Sequence, residues 1–377
     1  MQQSSSARTV AWRELQQELG RGFAAHRWLI AVVAAYCAVC VMLAVRYGNR
    51  GFRSPWTYAW LYGTNLSLLA TMAVGIGGGF CAVYLAHLVL SRRADRPLLH
   101  AIGELGRFAT SERLCLAAPV LVLFPAFAAC FTVVKAAIPR LNAFSWDLYF
   151  ADLGRRLQGG YDAWQWLQPV FGHPAVTRFL DLVYAVWFAV LYGVLFWQVF
   201  STRDRQLRMQ FLTAFVFAWI VLGTFCATFF ASVGPCFLGR LTGLPDRYAP
   251  LMDYLRSVDA EHPLLALRAQ SYLWTGYLHR DLALFDGISA MPSMHVAMVT
   301  LFALLGWRIS WRFGVPLTGF AVLIAIGSIE LGWHYSVDDL AAALGAILIW
   351  LVAGRLCRGA PAPRSLRVGA PLGESAD

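Results

Sequence analysis

Charged side chains are scarce in this chain of 377 residues: Asp, Glu, Lys and Arg make up only 14% of it, against about a quarter in soluble domains. A water-soluble globule draws on such residues for its surface, so a single soluble domain is excluded. Acidic residues are the scarcer sign, 21 against 31 basic ones, for a net charge of +10. In a soluble protein that balance would point to nucleic acid; here it is tested first as a membrane-orientation signal. A cleavable signal peptide is also missing from the pattern. The first 27 residues are polar, and the first apolar run is long enough to stay in the bilayer as an anchor. What fills the chain instead is apolar, 59% by residue, with 15 Trp, 14 Tyr and 25 Phe available for membrane interfaces.

A hydrocarbon core of about 30 Å needs roughly 20 apolar residues of helix. Eight runs of that kind are expected, near Trp28–Val45, Leu66–Leu90, Leu114–Val134, Phe179–Val199, Met209–Ala231, Ser293–Gly306, Val315–Leu331 and Leu340–Gly354. The sixth and eighth are short, and the sixth is the least secure as an independent span. Pro119 and Pro125 in the third are tolerated where neighbouring helices re-satisfy freed carbonyls.

Basic residues alternate between loops as a membrane topology requires. One side carries Arg8, Arg13, Arg21, Arg27, then Arg92, Arg93, Arg96, Arg107, Arg113, then Arg203, Arg205, Arg208, then Arg308, Arg312, and finally Arg355, Arg358, Arg364, Arg367. That is 18 of the 31, on short segments. Both termini are therefore expected in the cytoplasm, and no nucleic acid is needed to explain the charge.

The expected architecture is all-α, a polytopic membrane helical bundle of about eight transmembrane helices with amphipathic interfacial helices in the outer loops. It divides into an N-terminal arm (1–27), a five-span region (28–231) with an interfacial segment (135–178), a catalytic region (232–356) and a tail (357–377) expected to be disordered. Two outer segments, Lys135–Arg178 and Ser232–Pro292, are too long to be turns. The first interleaves Trp146, Tyr149, Phe150, Trp164 and Trp166 with Asp147, Asp152, Arg155 and Arg156, a pattern suited to helices lying at the lipid surface and read mainly as a lid or packing element. The run Gly75–Gly79 lies within a span, where close helix packing explains it better than phosphate binding. Six of the eight cysteines fall inside spans as small packing residues, and Cys37 and Cys40 lack the His or carboxylate support of a metal site.

Polar chemistry collects on one face. In Met291-Pro292-Ser293-Met294-His295 a proline and a serine stand before an apolar run, which makes a helix start with Ser293 as N-cap. Its free N–H groups suit phosphate. One hairpin of two spans later, Gly332-Trp333-His334-Tyr335-Ser336-Val337-Asp338 emerges on the same side. If this segment is helical, His334 and Asp338 stack on one face. A carboxylate on one imidazole nitrogen fixes the tautomer and frees the other to attack, while His295 opposite is placed to protonate a leaving oxygen.

Pro292-Ser293-Met294-His295 and His334-Tyr335-Ser336-Val337-Asp338 resemble the second and third signatures of the type 2 phosphatidic acid phosphatase superfamily. The Gly-Trp-His-Tyr-x-x-Asp form, and Met where Gly is usual, are similar to the branch containing inositol phosphorylceramide synthases (inositolphosphotransferases). The resemblance covers about Gly234–Gly345. It implies a helical-bundle core and a phosphohistidine mechanism without cofactor or metal, with His334 as nucleophile, Asp338 as its partner and His295 as general acid. The hydrolase form of the third signature has Ser-Arg where this chain has Gly327 and Ser328, so one phosphate-clamping arginine is absent. The first signature is not present as such, but Arg240 and Arg247 reproduce its spacing and are candidates to hold phosphate oxygens, with Ser293. Glu330 and Tyr335 are candidates for supporting the histidine, Glu330 by tuning or reprotonating it.

The expected protein is thus an enzyme, a lipid-phosphate phosphatase or phosphotransferase in a plasma membrane of bacterial type, acting at the outer face on a phosphorylated lipid of the bilayer. Plain hydrolysis and transfer of a phospho-headgroup to a lipid hydroxyl both stay open. A non-catalytic scaffold or a transporter is the rival class, although no internal repeat supports the latter. The sequence is silent on the acceptor and on oligomeric state.

Overall fold

Long apolar runs broken by Pro, Gly and Arg leave the backbone one economical way to satisfy its polar groups in lipid, and every regular element among the described residues is helical. The structure, a computed structural model, describes residues 2–47, 54–91, 96–243, 246–279 and 287–358. Arg92, Arg93, Arg364, Arg367 and the tail from residue 359 on lie outside them.

The order is α1 (Gln2–Ala25), α2 (Arg27–Tyr47), α3 (Pro55–Leu90), α4 (Pro97–Phe108), α5 (Ser111–Leu141), α6 (Asp147–Leu157), α7 (Ala163–Phe171), α8 (Pro174–Val199), α9 (Arg205–Phe229), α10 (Pro235–Thr242), α11 (Ala249–Glu261), α12 (Leu265–His279), α13 (Met294–Ile309), α14 (Trp311–Glu330) and α15 (Ser336–Arg358). Seven of these, α2, α3, α5, α8, α9, α14 and α15, are long and apolar enough to cross a membrane, and α13 is a shorter apolar helix. Together they are the eight expected runs, several extended by a turn or more. Pro119 and Pro125 lie inside a continuous α5, and α9 widens into a π-helical stretch at Val221–Cys226.

The bundle centres on α13. Ala297, Met298, Val299, Leu301, Phe302 and Leu305 are completely buried, because α13 packs against α9, α14 and α15 and also touches α8. A short helix can serve here since protein, not lipid, covers it. Ser293 caps its start by accepting from the Val296 N–H at 3.4 Å. At the opposite end of the bundle α1 packs on α5, where the fully buried Arg208 of α9 reaches His26 at 2.7 Å.

The glycine run in α3 departs from its expected role. A Cβ added at Gly75, Gly77, Gly78 or Gly79 would meet no atom within 4 Å, so these residues do not mediate close packing within the chain. α3 is mostly exposed along its length, with only Leu61, Asn65 and Leu69 in its N-terminal half and Leu88 near its C-terminal end buried.

The outer segment 135–178 is shorter as a loop than its sequence limits suggested, because α5 continues to Leu141 and α8 begins at Pro174. Between them, α6 and α7 are short and amphipathic. α6 buries Phe150, Ala151 and Gly154 toward α15, while Arg155 and Arg156 are exposed. Gly154 allows the approach: a Cβ there would lie 3.1 Å from the Ser336 hydroxyl oxygen.

Candidate active site

The loop between α14 and α15 carries His334. Gly332 turns the chain with φ +74°, and the N–H groups of Trp333 and His334 donate to the Ser328 carbonyl at 2.9 and 3.2 Å. α15 starts only at Ser336, so His334 and Asp338 do not share a helical face as the four-residue spacing had suggested. Asp338 reaches back instead. Its Oδ2 accepts from the Tyr335 N–H at 2.9 Å, which closes the helix start, and lies 3.6 Å from His334 Nδ1. The side chain of Asp338 is fully buried, and its Oδ1 has no hydrogen-bond partner.

The nearer acceptor for His334 is a backbone carbonyl. Nδ1 stands 2.9 Å from Ala290 O, so with a proton on Nδ1 the imidazole donates there and leaves Nε2 unprotonated. Ala290 is itself fixed, since its N–H donates to Ser232 O at 2.9 Å while the Met291 N–H donates to Ser232 Oγ at 3.1 Å. The segment that holds Ser232 is anchored by Asp147 at the start of α6. This carboxylate accepts from the N–H of Val233 and of Gly234 at 2.9–3.0 Å and from the Tyr335 hydroxyl at 3.0 Å. Burial pushes the Asp147 carboxyl up to about 6, against the opposing pull of those donors. Burial likewise raises the Tyr335 phenol well above its ordinary range.

His295, in the first turn of α13, lies between aromatic rings: its centroid is 4.5 Å from Tyr184 and 4.2 Å from Trp187. The His295 and His334 rings are 6.4 Å apart, near enough to act on one phosphoryl group. The Ser293 N–H donates to the Asp338 carbonyl at 3.3 Å, which ties the start of α13 to the start of α15.

Ser328 occupies the position where the hydrolase signature has arginine. It is fully buried, its hydroxyl donates to Asp339 Oδ2, and its carbonyl accepts from the N–H groups of Trp333 and His334 in the α14–α15 loop. Glu330 is buried with both carboxylate oxygens unpartnered, and no bond joins it to His334.

Arg240 lies over the Trp274 ring, 5.7 Å from its centroid. Arg247 is held by two carboxylates, Asp152 at 2.5 Å and the buried Asp162 at 3.7 Å. The structure therefore brings His334, His295, Asp338, Ser293 and Tyr335 together, places Arg240 and Arg247 against other partners, and leaves the Glu330 carboxylate unpartnered.

A small, partly open cavity lies beside His334. Tyr335 and Ser336 line it together with Phe150, Gly154 and Arg155 of α6, Gln158 just after it, Trp164 of α7, Asp162 and Tyr248. The interfacial helices are thus a wall of the site. The sequence marks Asp147, Arg155 and Trp164 as interfacial residues, but nothing local tells that α6 and α7 fold back over His334. Among the described residues no group of three His, Cys, Asp or Glu side chains is arranged to hold a metal ion.

A family model described as the PAP2 superfamily matches residues 149–352, more than half of the chain, and the protein belongs to that superfamily. The matched span contains α13, the α14–α15 loop and nearly all of α6. No curated protein and no solved structure matches the chain. Membership supports a membrane protein with phosphatase-type chemistry.

Proposed function

We propose that this protein transfers the phosphoryl group of a phosphorylated membrane lipid through a covalent phosphohistidine at His334. The observation that carries this reading is the His334 imidazole, whose Nδ1 is engaged by Ala290 O at 2.9 Å with Asp338 behind it, while its ring faces His295 at 6.4 Å. With Nδ1 protonated, Nε2 keeps its lone pair. That lone pair attacks phosphorus, the P–O bond to the leaving group breaks, and the leaving oxygen takes a proton from His295. In the second step water or an alcohol attacks the phosphohistidine, gives its proton to His295 and releases the histidine. The free N–H groups at the start of α13, behind Ser293, stabilise charge on the phosphoryl oxygens. Arg240 and Arg247 are candidate phosphate ligands by spacing, and to act so each must leave its present partner.

Both hydrolysis and transfer to a lipid or polyol hydroxyl fit this chemistry. Transfer, as in the inositol phosphorylceramide synthase-like branch, is favoured by the serine at position 328 in place of the hydrolase arginine. The basic-residue pattern supports reading the site as facing the outer side of a plasma membrane, with both termini in the cytoplasm, and a membrane of bacterial type belongs to the same reading. The test is turnover of a panel of lipid phosphates and phospholipids, with and without diacylglycerol, ceramide or inositol as acceptor. A new phosphodiester identifies transfer, and free phosphate identifies hydrolysis. A His334→Ala protein that is intact in the membrane and turns lipid over at the wild-type rate would falsify the reading.

A further inference from the structure

We propose that Arg155, on the interfacial helix α6, is the cation that grips the phosphate group in the cavity beside His334. The proposal rests on the reading of His334 as the phosphoryl acceptor and supplies what position 328 lacks. Of the three arginines at issue, Arg155 alone lines the cavity. Arg247 is committed to Asp152 and Asp162, and Arg240 to the Trp274 ring.

The guanidinium of Arg155 is aimed rather than loose. α6 ends in a glycine pair, Gly159 and Gly160, at φ +70° and +94°, and this turn returns the Gly160 carbonyl to accept from Arg155 Nε at 2.6 Å. Other residues would be strained at both positions, although there is space around them. With Nε pinned, the two terminal nitrogens make no further hydrogen bond or ion pair among the described residues, although the Asp162 carboxylate in the same wall feels the Arg155 charge. Those two nitrogens form the fork that matches two oxygens of a phosphate.

Two neutral groups in the same wall point to a polar ligand. The indole N–H of Trp164 and the side-chain oxygen of Gln158 are buried without a partner, and both residues line the cavity. The Trp164 N–H is a donor suited to a phosphate oxygen, and the Gln158 oxygen is an acceptor suited to a hydroxyl on the ester or on the acceptor alcohol. Arg155 is exposed, so the ligand can reach it from solvent.

The test uses the full chain in detergent or nanodiscs and measures binding of radiolabelled inorganic phosphate by scintillation proximity, a readout independent of turnover. Arg155→Ala should weaken phosphate binding about tenfold or more, in the range of lost charge-assisted contacts. Arg155→Gln retains the stem and removes the charge, and should do the same if the alanine protein fails to fold. Arg156→Ala, whose side chain is outside the cavity lining, should bind as wild type. His334→Ala should still bind phosphate, because the oxyanion grip is separate from the nucleophile. Equal binding by wild type and both Arg155 variants, or no phosphate binding by wild type, overturns the proposal. Lipid turnover by wild type is scored separately, so an inactive panel with Arg155-dependent binding counts against the phosphohistidine reading alone.

Discussion

His334 Nδ1 lies 2.9 Å from the carbonyl oxygen of Ala290 and 3.6 Å from the carboxylate of Asp338. Two acceptors therefore share one imidazole position, and the neutral one is closer. The carbonyl can set the tautomer whether or not Asp338 is ionised, whereas on the proposed mechanism the carboxylate would stabilise the positive ring that forms when Nε2 is phosphorylated or protonated. The two roles separate experimentally.

Asp338→Asn should lower kcat by about 10–100-fold and leave KM nearly unchanged, in the range seen when a partner of an orienting histidine is removed. His334→Asn should abolish turnover and the acid-labile phosphoprotein. Steady-state kinetics on the best lipid substrate, with acid-quench labelling, distinguish the two. Loss as complete in Asp338→Asn as in His334→Asn would show that the Ala290 carbonyl does not suffice to orient the ring.

Asp147 links α6, the Val233–Gly234 backbone and Tyr335 through one carboxylate, so its removal should loosen the Ala290 carbonyl two links away. Asp147→Ala leaves two buried N–H groups and a buried phenol unpaired, a loss of about 2–4 kcal/mol, each orphaned group costing roughly 1–3 kcal/mol before relaxation. Thermal unfolding in detergent measures it. Asp147→Asn, which keeps an acceptor oxygen, should lose less than Asp147→Ala.

Two groups outside the spans give opposed pH dependences. Asp147 has its carboxyl raised to about 6, so folding favours its neutral form; its contribution is full below the ordinary carboxyl range near pH 4 and is lost as pH rises through 6. His26 is lowered to about 4, chiefly by burial and then by Arg208, so folding favours its neutral form and stability is lost as pH falls from 6.5 towards 4. Each is worth about 3 kcal/mol at the outside. Between pH 4 and 6 the two cancel in the wild type. In unfolding scans Asp147→Asn should become more stable as pH rises across that window, and His26→Gln less stable. Parallel pH profiles for the two variants would contradict this assignment.

The helices were legible from the sequence because lipid imposes a length and an apolar composition on each span, and α13 was legible as the weakest because a helix covered by protein need not meet that length. His295, His334 and Asp338 were legible from residue types at helix ends. The route from Asp147 to Ala290 was not. It runs through backbone carbonyls and N–H groups of residues such as Ser232 and Val233, whose side chains carry no pattern, and it depends on α6 folding onto α15 across 188 residues of sequence to Tyr335. The Gly75–Gly79 run misled for a related reason: glycine permits close approach but does not require it, and only the neighbours decide.

Glycines at two sites test that last distinction. Gly234 has φ +89°, and a Cβ there would lie 2.5 Å from the Trp333 carbonyl oxygen, immediately before His334. Backbone cannot move aside as a flexible side chain can, so Gly234→Ala combines an unfavourable left-handed conformation with a clash inside the catalytic loop. It should cost about 2–4 kcal/mol, strain and overpacking together, and depress turnover more than the stability loss accounts for. Gly79→Ala has open space around its Cβ and regular helical backbone, so it should leave unfolding temperature and turnover unchanged or raise stability by about 0.5–1 kcal/mol through helix propensity. Side-by-side unfolding curves and kinetics in the same detergent measure both. A loss in Gly79→Ala comparable to that in Gly234→Ala would mean that α3 is covered by another chain in the membrane, and gel filtration of the two variants would then separate an assembly defect from a folding defect.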